Sequence, residues 1–206
     1  GVLQNRVLIL QSRGEFDAAY QVAREALEKN VDLRWGSDRV FLRTLRTRAL
    51  ATGEFNEALR WYGQRYPELL ATTPEINNNN VFVAGDLGLL LRETGSQDEG
   101  DALVRAALAW QQANHPANSY GYVYGVLGAE LLALDGQPDE ALAELRRAVD
   151  SGWRFHWRFS LSSEGFDSLR NRPEFQEIIE FLEADMVRLR ELVLALPDQG
   201  MYDLRD

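Results

Sequence analysis

The residues of this chain that could do chemistry are few and widely separated. Its two histidines, His115 and His156, fall in no HExxH or comparable metal-binding spacing. There is no cysteine, which excludes disulfides, thiol catalysis and thiolate metal sites. Neither a GxxxxGK[ST] phosphate loop nor a GxSxG nucleophile elbow occurs. Carboxylates are abundant, and a pair of them is what glycoside hydrolysis requires. Most of these acids, however, stand at expected helix starts or on solvent faces. The expectation is a chain with no catalytic residue, metal or cofactor. One cluster, Trp153-Arg154-Phe155-His156-Trp157-Arg158-Phe159, interleaves aromatics with arginines as a nucleic-acid stacking platform does. A net charge of -10 opposes that use. Packing is the favoured reading of these aromatics, with a partner-binding patch as the alternative.

Charge is unevenly spread. Residues 1–65 carry eleven basic and eight acidic groups, whereas residues 66–206 carry eleven and twenty-four, so the two ends present different electrostatic faces. A single lysine, Lys29, stands against twenty-one arginines, a usage that points to a GC-rich bacterial genome. Hydrophobic content of 45% allows a sizeable core. The longest apolar run, Val126 to Leu134, contains Glu130 and is too short to span a bilayer of about 30 Å. This predicts no membrane insertion by this segment. The chain opens on Gly1, which predicts a part excised from a longer protein.

The elements that must position these residues are announced by a period. Gly14, Gly53, Gly95 and Gly136 are 39, 42 and 41 residues apart, and each is followed five positions later by a small residue: Ala19, Ala58, Gly100 and Ala141. A recurrence of this length predicts stacked helix pairs. The glycine ends one helix in a left-handed conformation. Acidic residues such as Asp17, Glu57, Asp98 and Asp139 suit the first turn of the next. Small residues at spacings of four and three, as in Ala19, Ala23 and Ala26, then let two helices approach closely.

These segments resemble the tetratricopeptide repeat family. Leu87-Gly88 and Leu91 precede Gly95 at the family's offsets; the fourth unit has Leu127-Gly128 one residue out of register, with Leu132 in place. The first two units offer Arg6-Val7 and Leu45-Arg46 instead, and the period exceeds the family's by several residues. The resemblance implies an all-α fold, a right-handed α-solenoid of about four helix pairs. We place the pairs at about 1–30, 37–66, 80–113 and 118–150, making 1–150 the repeat region. Ser37 and Asp38 open the second pair, and Asn118 or Ser119 the fourth. The stretch 67–80, with four consecutive asparagines, is the main irregular connector, because asparagine side chains compete for backbone hydrogen bonds.

Residues 151–206 form an aromatic-rich connector and a capping helix. Phe175, Ile178, Ile179 and Leu182 are expected to cover the last pair, with Trp153 and Trp157 beneath; Met186, Leu189 and Val193 continue the same face. The ordered series Gly152-Trp153, Phe166 to Arg170 and Pro173-Glu174-Phe175 resembles the C-terminal end of bacterial tetratricopeptide proteins joined to winged-helix regulators or nucleotide cyclases. That resemblance implies a region of a signalling parent, lying outside the cytoplasm if the parent spans a membrane and cytoplasmic otherwise.

In this family the first helix of each pair lines a concave groove. Counting back from the turn glycines brings Arg43 and Thr47, Phe82, Leu89 and Arg92, and Val126 and Glu130 to that face. Arg39, Arg43 and Arg46 follow helical spacing as a basic stripe, and Tyr122 and Tyr124 flank the start of the fourth pair. Arginine mixed with aromatics suits protein recognition; the bland alternative is a solvated helix with arginine stems over apolar neighbours. The functional expectation is a non-catalytic module that binds a protein or peptide, or self-associates. A small-ligand sensor is the alternative, and an all-helical enzyme the third reading.

Overall fold

A computed structural model describes residues 2–29, 38–115 and 123–195, the side chains of 123 and 124 excepted. Ser37, Asn118, Ser119 and Tyr122, and the end of the chain from 196, lie outside the described residues. Those described are helical, with no strand among them. In order they form α1 (Val2–Ser12), α2 (Phe16–Glu28), α3 (Asp38–Thr52), α4 (Phe55–Arg65), α5 (Val81–Glu93), α6 (Gln97–Asn114), α7 (Val123–Leu134) and α8 (Pro138–Asp150). A short α9 (Trp157–Leu161), a 3-10 turn (Glu164–Leu169) and the long α10 (Pro173–Leu194) follow.

The turn glycines end their helices for a conformational reason. Gly14, Gly53, Gly95 and Gly136 all have φ between 75° and 89°, and a Cβ on any of them would meet nothing within 4 Å. Space is therefore not what selects glycine there; the left-handed backbone is. At Gly95 the turn closes with Gly95 N–H donating to the Arg92 carbonyl and Ser96 N–H to that of Leu91. This paired arrangement satisfies carbonyls that the helix end leaves open. Gly14 and Gly136 repeat it.

A different constraint acts inside the third pair. A Cβ on Gly100 would stand 2.6 Å from the Gly88 carbonyl oxygen, and one on Gly88 would stand 2.7 Å from Val104 Cγ2. Here α5 and α6 touch backbone to backbone, and no side chain fits between them. Elsewhere Ala19, Ala58 and Ala141 are buried at the equivalent position five residues after the turn.

The asparagine run ties the connector down. Asn80 is buried; its side chain accepts from Asn77 N–H and donates to the Glu75 carbonyl at 2.8 Å and to Glu68 at 3.0 Å. The chain thus enters α5 at a fixed angle from the 3-10 turn Pro67–Leu70.

Each helix packs on its pair partner, and α1, α3, α5 and α7 also pack on one another in sequence, forming an inner row. The chain after α8 then does something the periodicity does not foretell. The turn 164–169 packs on α7, α5 and α8, and α9 reaches α1. The segment 157–169 therefore lies along the inner row, its start beside the first helix and its end beside the last. Trp153, Trp157, Phe166 and Leu169 are buried with it. The first half of α10 packs on α8 through buried Phe175, Ile178 and Leu182, whereas Val187, Leu192, Val193 and Leu194 in its last turns are exposed.

Candidate functional site

The inner row carries ionised side chains where a helical core would normally be apolar. From α3 come Arg39, Arg43 and Arg46, spaced to lie on one face. From α5 comes Asp86, a lone carboxylate in the run Val81-Phe-Val-Ala-Gly-Asp-Leu-Gly. From α7 comes Glu130, and from the returning segment Ser163 and Glu164.

Their geometry is tightly paired. Arg43 donates from Nε and Nη2 to the two oxygens of Asp86, at 3.1 and 2.8 Å, and from Nη2 to Glu130 at 2.9 Å. Arg46 pairs with Asp86 and with Glu164, and donates to Ser163 Oγ at 3.0 Å. Ser163 in turn donates to Glu130, and Tyr62 of α4 adds a long contact to Asp86 at 3.4 Å. Forked arginine–carboxylate contacts of this kind are strong and directional, and they fix the register of the elements that supply them. Glu130 also shapes the backbone around it: a Cβ on Gly165 would stand 2.7 Å from Glu130 Cγ. Only glycine lets the returning turn lie this close.

The electrostatics follow from burial. Asp86 sits beside two arginines, whose charges outweigh its desolvation and hold its pKa below the ordinary carboxylate range. Among the described residues the half-buried Arg39 has no comparable carboxylate partner, and it stacks over Phe82 at 4.5 Å. Burial, reinforced by the charge of Arg43, pulls its pKa down to about 10.

The residues expected on the concave face divide accordingly. Arg43, Val126 and Glu130 are buried, and Arg43 and Glu130 meet directly. The Thr47 hydroxyl lies 3.4 Å from Glu164. Arg39, Phe82 and Leu89 are half-buried. Arg92 points elsewhere: it bridges Asp101 of α6, at 2.7 Å, and the Leu134 carbonyl that ends α7. No family model, curated protein or solved structure matches the chain. The reading of this site therefore rests on its own geometry.

The returning segment is held as a ligand is held. Arg46 and Glu130 grip Ser163 and Glu164, while Arg170 gathers the loop from behind by donating to the carbonyls of Leu161, Ser162 and Ser163. Sequence reasoning found Arg43 and Glu130 but passed over Asp86, Ser163 and Glu164. Asp86 had a readable signal, a single carboxylate in an apolar helix. Ser163 and Glu164 had none, because their partner Arg46 lies more than a hundred residues earlier. The histidines play no part here: His115 stacks near Trp110, with ring centroids 5.5 Å apart, and His156 contacts Phe155 at 3.9 Å.

Among the described residues no helix is long and apolar enough to cross a membrane.

Proposed function

We propose that this chain is a non-catalytic protein-interaction module, built as a right-handed solenoid of tetratricopeptide-like helix pairs and serving as the sensory or assembly region of a larger bacterial signalling protein. One observation carries the reading: the inner row holds a peptide segment, its own residues 157–169, through the Arg46–Glu164 pair, the Ser163–Glu130 hydrogen bond and a glycine that permits close approach. A surface organised to grip a Ser-Glu-Gly turn in cis has the attributes needed to grip one in trans. A partner offering a similar acidic turn would compete with the resident segment.

The test uses the full chain with Glu164→Gln, which weakens the resident contact while keeping its size. A fluorescently labelled peptide spanning residues 157–170 is titrated into parent and variant, with helicity checked by circular dichroism. Binding to the variant, with little or none to the parent, supports the proposal. A folded variant that ignores the peptide sinks it. A second reading, small-ligand sensing in the groove, is favoured by a cleft left open between α1, α3 and α9.

A further inference from the structure

The last helix outruns the body it packs on. Along α10, Phe175, Ile179, Leu182, Met186, Leu189 and Val193 recur at alternating spacings of four and three, the order of a coiled-coil seam. The protein's own body uses the first half of that stripe. Phe175, Ile178 and Leu182 are buried there, and Arg154 holds Asp185 at 2.6 Å. From Met186 onwards the stripe is left in water. Met186 is 36% exposed and Val193 66%, with Leu189 half-buried between them. A helix gains most of its stability from burying its apolar face, so these last turns are short of a partner.

The flanks of the stripe say which partner fits. Glu183 and Arg190 each follow a seam leucine, Leu182 and Leu189, and stand seven residues apart on one side of the helix. Both are exposed. Glu183 has only a loose contact with Arg158 at 3.7 Å, and among the described residues Arg190 has no ion-pair partner. The matching surface offers a cation opposite Glu183 and an anion opposite Arg190. A second α10 running the opposite way offers both, because in an antiparallel pair these positions face one another. Orientation is also fixed by the body, which lies on the seam face of α10 against Phe175 to Leu182. A parallel partner would bring its own body to the same place. It would also set Arg190 against Asp185, which Arg154 and Arg188 already engage. In the antiparallel arrangement each body lies beyond the exposed end of the other helix.

We propose that the chain forms an antiparallel two-fold dimer through the second half of α10. Met186 packs against Leu189 of the second copy, Glu183 pairs with its Arg190, and Val193 reaches the edge of its body. Every contact occurs twice, so the assembly closes at two copies. Few residues a side take part, against about 20–30 in a standard interface. The dimer is therefore weak, with a dissociation constant of about 10–100 μM, and is absent from dilute optical melts. It does not depend on what the inner row binds.

The experiment is sedimentation equilibrium of the full chain from about 1 μM to about 1 mM, with helicity checked by circular dichroism. A monomer–dimer equilibrium is expected. Met186→Glu should abolish it without loss of helicity, because that side chain is exposed. Glu183→Arg and Arg190→Glu each turn two attractions into two repulsions and should weaken the dimer about tenfold. The double exchange should restore the parental affinity, since it only swaps which copy supplies each charge. A monomer at every concentration, assemblies larger than two, or association indifferent to Met186→Glu would each overturn the assignment. So would a double exchange that fails to rescue, which would mean that Glu183 and Arg190 do not face one another. Failure here leaves the in-trans peptide experiment with Glu164→Gln unaffected, so the two ideas fall separately.

Discussion

Replacing Asp86 by asparagine keeps the shape of the side chain and removes the one carboxylate shared by two buried arginines. Arg43 retains Glu130 and Arg46 retains Glu164, so neither is abandoned, but both lose their shared anion. Breaking a buried ion pair from one side costs about 3–5 kcal/mol, because the opposite charge stays desolvated. Against a total stability of about 5–15 kcal/mol this is a large fraction. For a chain of this size each kcal/mol corresponds to roughly 2–4 °C, so the melting temperature should fall by about 6–20 °C. Acid supplies an internal control. The Asp86 pKa is depressed in the fold, so its contribution is present above the unfolded carboxylate value, near 3.9, and is lost as pH falls through the depressed one. Urea unfolding followed at 222 nm should therefore show a wide gap between parent and variant at pH 7 that narrows below about pH 4. A variant within about 0.5 kcal/mol of the parent at neutral pH, or a gap indifferent to acid, would falsify the idea that this carboxylate anchors the inner row.

Three further outcomes follow from other parts of the structure. Gly100→Ala drives a Cβ to 2.6 Å from the Gly88 carbonyl and should cost upwards of about 2 kcal/mol, whereas Gly95→Ala meets only left-handed strain of about 1–2 kcal/mol; urea midpoints that rank them the other way would contradict the contact. The phenols of Tyr62 and Tyr66 have raised pKa values, chiefly from burial and then from Asp86 and Asp38 respectively. Their contribution is complete below the unfolded value near 10 and is lost as pH rises through the raised values, so the parent should lose melting temperature between pH 9 and 11 more steeply than Tyr66→Phe. On α10, Leu182→Ala should cost about 2–5 kcal/mol and Leu192→Glu less than about 0.5 kcal/mol, since only the first is buried; equal effects in thermal melts would mean that the end of the helix is covered in solution.

What could be read from the sequence was local. The turn glycines announce themselves because a left-handed residue at a helix end has almost one solution, and all four adopt it. Helix limits such as Pro138–Asp150 follow from proline at the first turn and glycine just past the end. The site was legible only in part. Counting back from the glycines set Arg43 and Glu130 on a shared face, and they lie 2.9 Å apart. The same count included Arg92, which turns towards Asp101, because one residue of helical phase moves a side chain by about 100°. The return of 157–169 was not legible at all. Its aromatics suit any buried surface, and the choice of the inner row is made by Ser163 and Glu164 meeting Arg46, a pairing that periodicity does not encode.

The contact between Arg46 and Glu164 spans 118 positions of sequence and joins the second helix pair to the far end of the chain. In an ordinary repeat array each unit knows only its neighbours, and unfolding can start at one end and spread. Here the chain closes a circuit, so the second helix pair and the returning turn cannot part without breaking charges at the centre. Denaturation should accordingly be one cooperative event. During synthesis, two buried arginines, Arg43 and Arg46, would wait for acids supplied by later helices and by the final quarter of the chain. The second helix pair would thus reach its settled state only once the turn carrying Glu164 has arrived.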